Sequence, residues 1–274
     1  MSKAIWLSAA GIAVAVGMLA VGYVAGRPEA AVADDDVPQT VAVASADGTV
    51  NRVEVENIIR DYLVKNPELL LDMQQALEIK QREEQRVANL EVIKSAKDDI
   101  FNAAYDGVVG NPDGKTTIVE FYDYNCGYCK RAQEDMLALT AADPDLRFVL
   151  KEFPILGPDS TKAHVVSMAF RTLMPEKYGD FHNQLLGGQG RASEATAMKI
   201  AVSLGADEAA LREEMKNPAI NAAFEKTYEL ANKLAITGTP SYVVGNEVVF
   251  GALGQEVLAQ KIAEARAATK QASN

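Results

Sequence analysis

Apolar residues in this chain change their spacing several times, and each change marks an element. The run Thr117-Ile118-Val119-Glu120-Phe121-Tyr122 is apolar but for one carboxylate and predicts a strand over 116–122. A helical pattern follows over 128–141, then a second strand from Arg147 to Phe153. The stretch from Ser160 to about Leu234 is mainly helical, with breaks near Pro175, Gly187-Gly188, Gly205 and Asn217-Pro218. Two β-rich runs, Ser241–Val244 and Glu247–Phe250, are joined by Gly245-Asn246, a hairpin signal. A last helix starts near Gly254. The order is βαβ, helical insert, ββα.

From Val50 to Tyr105 the period is helical, and Gly110-Asn111-Pro112-Asp113-Gly114 is a turn cluster after it. Ile58, Ile59, Tyr62 and Leu63 mark a short amphipathic helix over about 53–65. Asn66-Pro67-Glu68 reads as a restart, with Asn66 as cap, Pro67 at the first helical position and Glu68 at the positive end of the dipole. A long helix is then predicted from about Pro67 to Tyr105, because no Gly or Pro interrupts it. It carries two apolar patches, Leu69–Ile79 and Val87–Phe101, separated by Lys80-Gln81-Arg82-Glu83-Glu84-Gln85-Arg86, which has no apolar residue. Such a segment buries nothing and reads as a solvated rod or a hinge. The first patch needs a partner. Self-association supplies one, and packing back on the chain's own domain is the alternative. The heptads are too broken for a coiled coil.

Lys3 precedes an uncharged stretch, Ala4 to Gly26, which Arg27 closes. It is long enough to span a bilayer at roughly 20 residues per helix, and longer than a usual signal core of about 7–15 residues. Ala31-Val32-Ala33 before Asp34 nevertheless fits a cleavage site. Either reading, a tether through residues 4–26 or a removed signal, exports the rest of the chain to the periplasm. Residues 27–49 read as a linker. The domain plan is a signal or anchor over 1–26, that linker, a helical oligomerisation stalk over 50–108, and a catalytic domain over 109–274 whose helical insert covers about 160–234. A formal net charge of −11 argues against a nucleic-acid partner.

Only two cysteines are present, Cys126 and Cys129, in the run Cys-Gly-Tyr-Cys between the first strand and the helix after it. Thiols three apart at a helix N-terminus are placed to form and break a disulfide, and the helix dipole favours the thiolate of the first. Cys126 is the expected nucleophile and Cys129 the resolving thiol. Zinc would need four ligands, and the only histidines, His164 and His182, lie outside ligand spacing with the cysteines and read as packing residues of the insert. As a structural staple the pair would close too small a loop to gain much. No metal or other cofactor is expected. Glu120, six residues before Cys126, would be costly on a buried strand unless it shuttles a proton to or from Cys129; an exposed edge-strand position is the alternative. Thr239-Pro240 opens the later strand pair, and a cis-Pro loop facing the cysteines would free the Thr239 backbone to pair with a bound peptide. Thr239, Pro240, Gly127 and Tyr128 are therefore the expected substrate-facing residues, and Gly127-Tyr128 also tunes the redox potential.

These features resemble the DsbA family of thioredoxin-fold disulfide oxidoreductases. The matching stretches are Gly110-Asn111-Pro112, Val119 to Lys130, Lys151-Glu152-Phe153-Pro154-Ile155-Leu156-Gly157-Pro158 and Gly238-Thr239-Pro240, within about 109–268. The resemblance implies an α/β fold, a thioredoxin-like core with an inserted helical domain, behind an N-terminal helical stalk. It also implies Cys126 as the attacking thiol, Glu120 as the acidic residue behind the pair, and Pro240 in cis. The stretch Ile58 to Glu68 is similar to the N-terminal segment of the ScsC-like branch, which includes trimeric disulfide isomerases and is linked to copper tolerance; a homotrimer is the assembly this implies. Gly-Tyr between the cysteines departs from the Pro-His of the best-known oxidases. The missing His removes one stabiliser of the Cys126 thiolate and implies a weaker oxidant.

The function expected is an exported thiol–disulfide oxidoreductase acting on protein thiols and disulfides, as an oligomeric isomerase. The alternatives are a monomeric dithiol oxidase recharged by a membrane redox partner, and a chaperone or copper-binding module whose two thiolates hold Cu(I).

Overall fold

The computed structural model describes residues 43–45 and 48–272. The predicted export segment, residues 4–26, lies outside them. No described helix is long and apolar enough to cross a membrane.

The chain divides into two compact units, 1–73 and 74–274. In the first, strands β1 (Val43–Ser45) and β2 (Gly48–Val50) pair antiparallel, so part of the predicted linker is a hairpin. Helix α1 (Arg52–Lys65) follows, its first turn capped by Asn51, whose side chain accepts from the Val53 N–H. No residue of α1 is buried. Asn66 ends α1 instead of opening the next helix. Pro67 biases the residue before it away from the helical region, and the backbone and side-chain N–H groups of Asn66 both donate to the Tyr62 carbonyl.

Helix α2 (Leu69–Ser95) runs unbroken through the polar segment 80–86, where Arg86 pairs with Glu83 and Lys80 approaches Glu84. The predicted helix to Tyr105 is interrupted at Ala96, and a short α3 (Lys97–Phe101) continues it. Ser95 Oγ bonds back to the carbonyls of Glu91 and Val92, a contact that bends helices. Arg147 and Lys151 then hold the carbonyls of Phe101 and Asp99. The bend lets Ile93 and Ile100 enter the core beside Val119, Phe121 and Val149.

The second unit is built on a five-stranded sheet in the order β3-β5-β4-β6-β7. Its strands are β3 (Gly107–Gly110), β4 (Thr116–Tyr122), β5 (Leu146–Glu152), β6 (Ser241–Val244) and β7 (Glu247–Phe250). Only β4 and β5 run parallel, joined by α4 (Gly127–Ala142). The insert comprises α5 (Pro158–Leu173), α6 (Tyr178–Leu186), α7 (Glu194–Ser203), α8 (Glu208–Glu214) and α9 (Pro218–Lys233), and α10 (Gln255–Ala272) ends the chain. The breaks follow the cap chemistry: Ser193, Asp207 and Asn217 each accept from the first turn of the helix they open.

Strand β3 is not among the expected elements, because it runs directly into the turn residues Gly110-Asn111-Pro112-Asp113-Gly114. Gly107 is required there: a Cβ would run into the Tyr178 ring. β3 straddles the 108/109 boundary, and with Ile93 and Ile100 buried under the sheet the folded unit takes in residues read as stalk. Alternation along β4 separates two cores. Val119 and Phe121 face α3 and α9, whereas Ile118 and Tyr122 face the side holding both cysteines.

Candidate active site

Strand β4 ends in Asp123-Tyr124-Asn125, and these three residues set the loop that presents Cys126. The Asp123 carboxylate accepts from the Asn125 N–H at 2.8 Å, from Ser160 Oγ at 2.8 Å and from the Leu156 N–H at 2.9 Å. Asn125 ties the loop to residue 192: its side chain accepts from the Ala192 N–H and donates to the Ala192 carbonyl and to Ser160. Lys130 Nζ donates to the carbonyls of Gly188 and Gly190. The loop is thus fastened to the insert on two sides.

Beneath it lies a buried polar cluster. The Tyr124 N–H donates to His164 Nε2 at 3.2 Å. An accepting Nε2 puts the imidazole proton on Nδ1, where it meets Glu152. Glu152 also accepts from Ser167 and Tyr178, and the Tyr124 hydroxyl contacts Ser167 and His182. Burial opposes ionisation of Glu152, yet its pKa lies below the usual carboxylate range because His164 and the hydroxyls favour its charge. His182 is held down at about 4 by burial. Both histidines therefore pack, but they pack against the active-site loop. Their role was not legible in their spacing. The one signal was Lys151-Glu152, two charges directly after the apolar run Phe148-Val149-Leu150.

Cys126 is the N-cap of α4, and Cys129 sits one turn inside, fully buried. The two thiols are shifted in opposite directions. The Cys126 pKa falls to about 5: the hydrogen bond from Cys129 outweighs desolvation, and Thr239 and the backbone N–H groups of Tyr128 and Cys129 add to it. Burial raises Cys129 far above its ordinary value, and Cys126 and Glu120 push it the same way. As a thiol, Cys126 donates to the Thr239 carbonyl at 3.2 Å, across 113 residues of chain. The Thr239–Pro240 peptide bond is cis. Gly127 has open space around it, and Tyr128 stands exposed with the Arg131 guanidinium 4.4 Å over its ring.

Glu120 lies on a central strand, not an edge, and is buried at 3% exposure. Burial first, then Cys126, raises it to about 8. The fold thus gathers Cys126, Cys129, Glu120, Thr239 and Pro240 at one end of the sheet. It adds Tyr242, the cross-strand partner of Glu120, which no spacing argument had singled out.

A family model described as a DSBA-like thioredoxin domain matches residues 117–263. The chain belongs to this family. A second model, the copper resistance protein ScsC N-terminal domain, matches residues 52–84. A thioredoxin-like oxidoreductase from Silicibacter pomeroyi is 40% identical, with a TM-score of 0.59 over 62% of this chain and 96% of that one. A linker-deletion variant of Proteus mirabilis ScsC is 26% identical, with a TM-score of 0.62 over 83% of this chain and 99% of that one. Disulfide bond formation protein D of Bacillus subtilis is 26% identical over 155 residues, 52% of this chain and 68% of that protein. The chain spans about a quarter of the length of the first curated relatives it matches, among them a Na(+)/H(+) antiporter of Salinispora arenicola, 23% identical over 165 residues. A thiol–disulfide oxidoreductase of the DsbA and ScsC type is the activity class these likenesses support.

Proposed function

We propose that this protein is an exported, periplasmic disulfide isomerase that attacks substrate disulfides with Cys126 and assembles through its N-terminal helices. The observation that carries the reading is the opposite shift of two touching thiols at the head of α4. Near neutral pH, Cys126 at about 5 is a thiolate while Cys129 keeps its proton. The thiolate attacks one sulfur of a substrate disulfide; that bond breaks, a mixed disulfide forms, and a substrate thiolate leaves. In isomerisation the freed thiolate attacks another substrate disulfide, and a later exchange returns Cys126. Cys129 is the escape route, attacking Cys126 when the exchange stalls.

The His missing between the cysteines is replaced in effect by the Cys129 thiol and the backbone donors. A stabilised thiolate favours the reduced pair, the form isomerisation needs, and makes the pair a stronger oxidant than the missing His alone implies. The Thr239 carbonyl accepts from Cys126 only while that sulfur carries its proton; once Cys126 is a thiolate the carbonyl is free to pair with a substrate backbone. Assembly is supported by α1 and the first half of α2, where Ile58, Ile59, Tyr62, Leu70, Leu71 and Leu77 all lie exposed. A second reading, a dithiol oxidase recharged by a membrane partner, draws on the same low Cys126 pKa and on the likeness to the Bacillus protein.

Reactivation of a scrambled-disulfide substrate by the reduced protein tests the isomerase reading. Cys126→Ser is expected to abolish it. Cys129→Ser is expected to retain it in part and to accumulate mixed disulfides on non-reducing gels. Rapid oxidation of a reduced substrate by the Cys126–Cys129 disulfide form, without reactivation of the scrambled one by the reduced form, would move the protein to the oxidase reading.

A further inference from the structure

Glu120 and Tyr242 are directly paired in the β4–β6 register, so their side chains leave the sheet on the same face. That face carries Ile118, Tyr122 and both cysteines, while Val119, Phe121 and Val243 lie on the other. Glu120 is 3% and Tyr242 1% exposed. Each still holds a polar atom with no hydrogen-bond partner, Glu120 Oε1 and the Tyr242 hydroxyl. An unbonded buried hydroxyl is costly, and a phenylalanine would fill the same space without it. A tyrosine here calls for something the hydroxyl does, and its cross-strand partner, the Glu120 carboxylate, is a group able to use a donor.

We propose that Tyr242 is a positioning residue for proton transfer at Cys129: its hydroxyl donates to the Glu120 carboxylate and so sets the pH at which that carboxylate takes the Cys129 proton. This rests on the thiol–disulfide reading and deepens it. In the resolving step the Cys129 S–H proton passes to Glu120. The sulfur electron pair left on Cys129 forms the bond to Cys126 Sγ, the Cys126–substrate bond breaks, and the substrate leaves as a thiolate. The substrate disulfide is reduced as the Cys126–Cys129 pair is oxidised, and no other redox agent enters.

The groups around Glu120 make Tyr242 the effective control. From α4 it is faced by Cys126, Cys129 and Asp135; Cys126 and Asp135 raise its pKa, as burial does more strongly, and Tyr242 on β6 lowers it. On β5 its register neighbour is the uncharged Leu150. α10 sends Arg266 to Thr116, at the far end of β4, and Ile100 of α3 packs on the opposite face.

The test follows release of a fluorescent substrate thiol from the Cys126 mixed disulfide across neutral and alkaline pH. It compares the full-length wild type with Tyr242→Phe, Glu120→Gln and the double variant. The wild-type rate should rise with pH to a midpoint at or below about 8, since Cys126 in the mixed disulfide no longer carries the charge that helps raise Glu120. In Tyr242→Phe that midpoint should move up by about half to one pH unit, the worth of one hydrogen bond, while the Cys126 thiolate titration stays in place. The double variant should match Glu120→Gln. The carboxylic-acid C=O stretch of Glu120, assigned by its loss in Glu120→Gln, should shift in Tyr242→Phe before any turnover. An unmoved midpoint and stretch, or additive losses in the double variant, would overturn the role of Tyr242. So would a Tyr242→Phe protein that fails to fold, since the hydroxyl would then be structural. A wild-type protein that never forms the mixed disulfide would instead overturn the thiol–disulfide reading itself.

Discussion

Helix α1 leaves Ile58, Ile59, Tyr62 and Val64 on its surface and buries nothing, whereas β4 and β5 bury Glu120, Lys151 and Glu152 in a mainly apolar sheet. Each region breaks the usual rule of polarity, in opposite directions. Apolar groups left outside are stabilised only when something covers them. Polar groups taken inside are tolerated only when they find partners there. The first departure points to a second chain and the second to chemistry. Glu152 and Lys151 have several partners each, and Glu120 keeps one oxygen free beside the cysteines.

The largest test of this contrast is to make the N-terminal surface polar. Tyr62→Asp with Leu70→Glu should reduce the solution mass to that of one chain and remove isomerisation. The urea midpoint of the catalytic unit should stay where it is. Phe121→Ala, fully buried beneath the sheet, should do the reverse: about 3–5 kcal/mol of stability lost and the mass retained. Light scattering with urea unfolding separates the two. Unchanged mass in the first variant would mean that those apolar residues need no second chain.

The buried side of the contrast is sharpened at Lys151. Its ammonium lies 2.5 Å from Asp106, both groups out of solvent. Burial lowers the Lys151 pKa and raises that of Asp106 to about 7. Lys151→Met alone strands a buried carboxyl and should cost about 3–5 kcal/mol, whereas Lys151→Met with Asp106→Leu should recover most of that. A double variant as unstable as the single would mean that the Asp99 carbonyl, which Lys151 also holds, matters more than the ion pair.

His182 gives a somewhat smaller, pH-dependent effect. Its folded pKa of about 4 lies below the ordinary 6.5. The unfolded chain therefore binds the proton first. Stability is full above about 6.5 and is lost as pH falls toward about 4. At about 1.4 kcal/mol per pKa unit the loss reaches about 3 kcal/mol. Besides Glu152 and His164, the groups facing His182 are Tyr122, Tyr124 and Tyr178. His182→Phe should flatten this part of the urea midpoint against pH. An unchanged slope between about 6.5 and 4 would mean that His182 is not the group whose protonation costs stability there.

What the sequence made legible follows from what is local. The strand at Thr116, the helix after Cys126, the Gly245-Asn246 hairpin and the breaks of the insert rest on neighbours in the chain, and they stand where the pattern put them. The cysteine pair was visible because no other cysteines compete with it. The rest needed register or long-range contact. β3 was hidden because the reason for Gly107 is Tyr178, far along the chain. Asn66 was assigned to the wrong helix because the same residue type can open one helix or close another. His164 and Glu152 gave no sign of supporting Tyr124, and Tyr242 acquires its meaning only when β6 lies against β4.

The smallest expected effect lies between the two regions, in residues 80–86. Lys, Gln, Arg and Glu are good helix formers, and that propensity with exposed pairs such as Glu83–Arg86 is all that holds this segment helical. Nothing in it is buried, so its amides should exchange hydrogen far faster than those around Ile93 and Ile100, which open only with the core. Gln81→Gly with Glu84→Gly should lower local helix stability by about 1 kcal/mol per site. Total ellipticity should fall slightly, and the urea midpoint of the catalytic unit should not move. The opposite result would be more informative: slow exchange at 80–86 would mean that another chain covers the polar segment. The boundary between the surface proposed to assemble and the core proposed to react would then lie at Val87, where the second apolar patch begins, and not at Lys80.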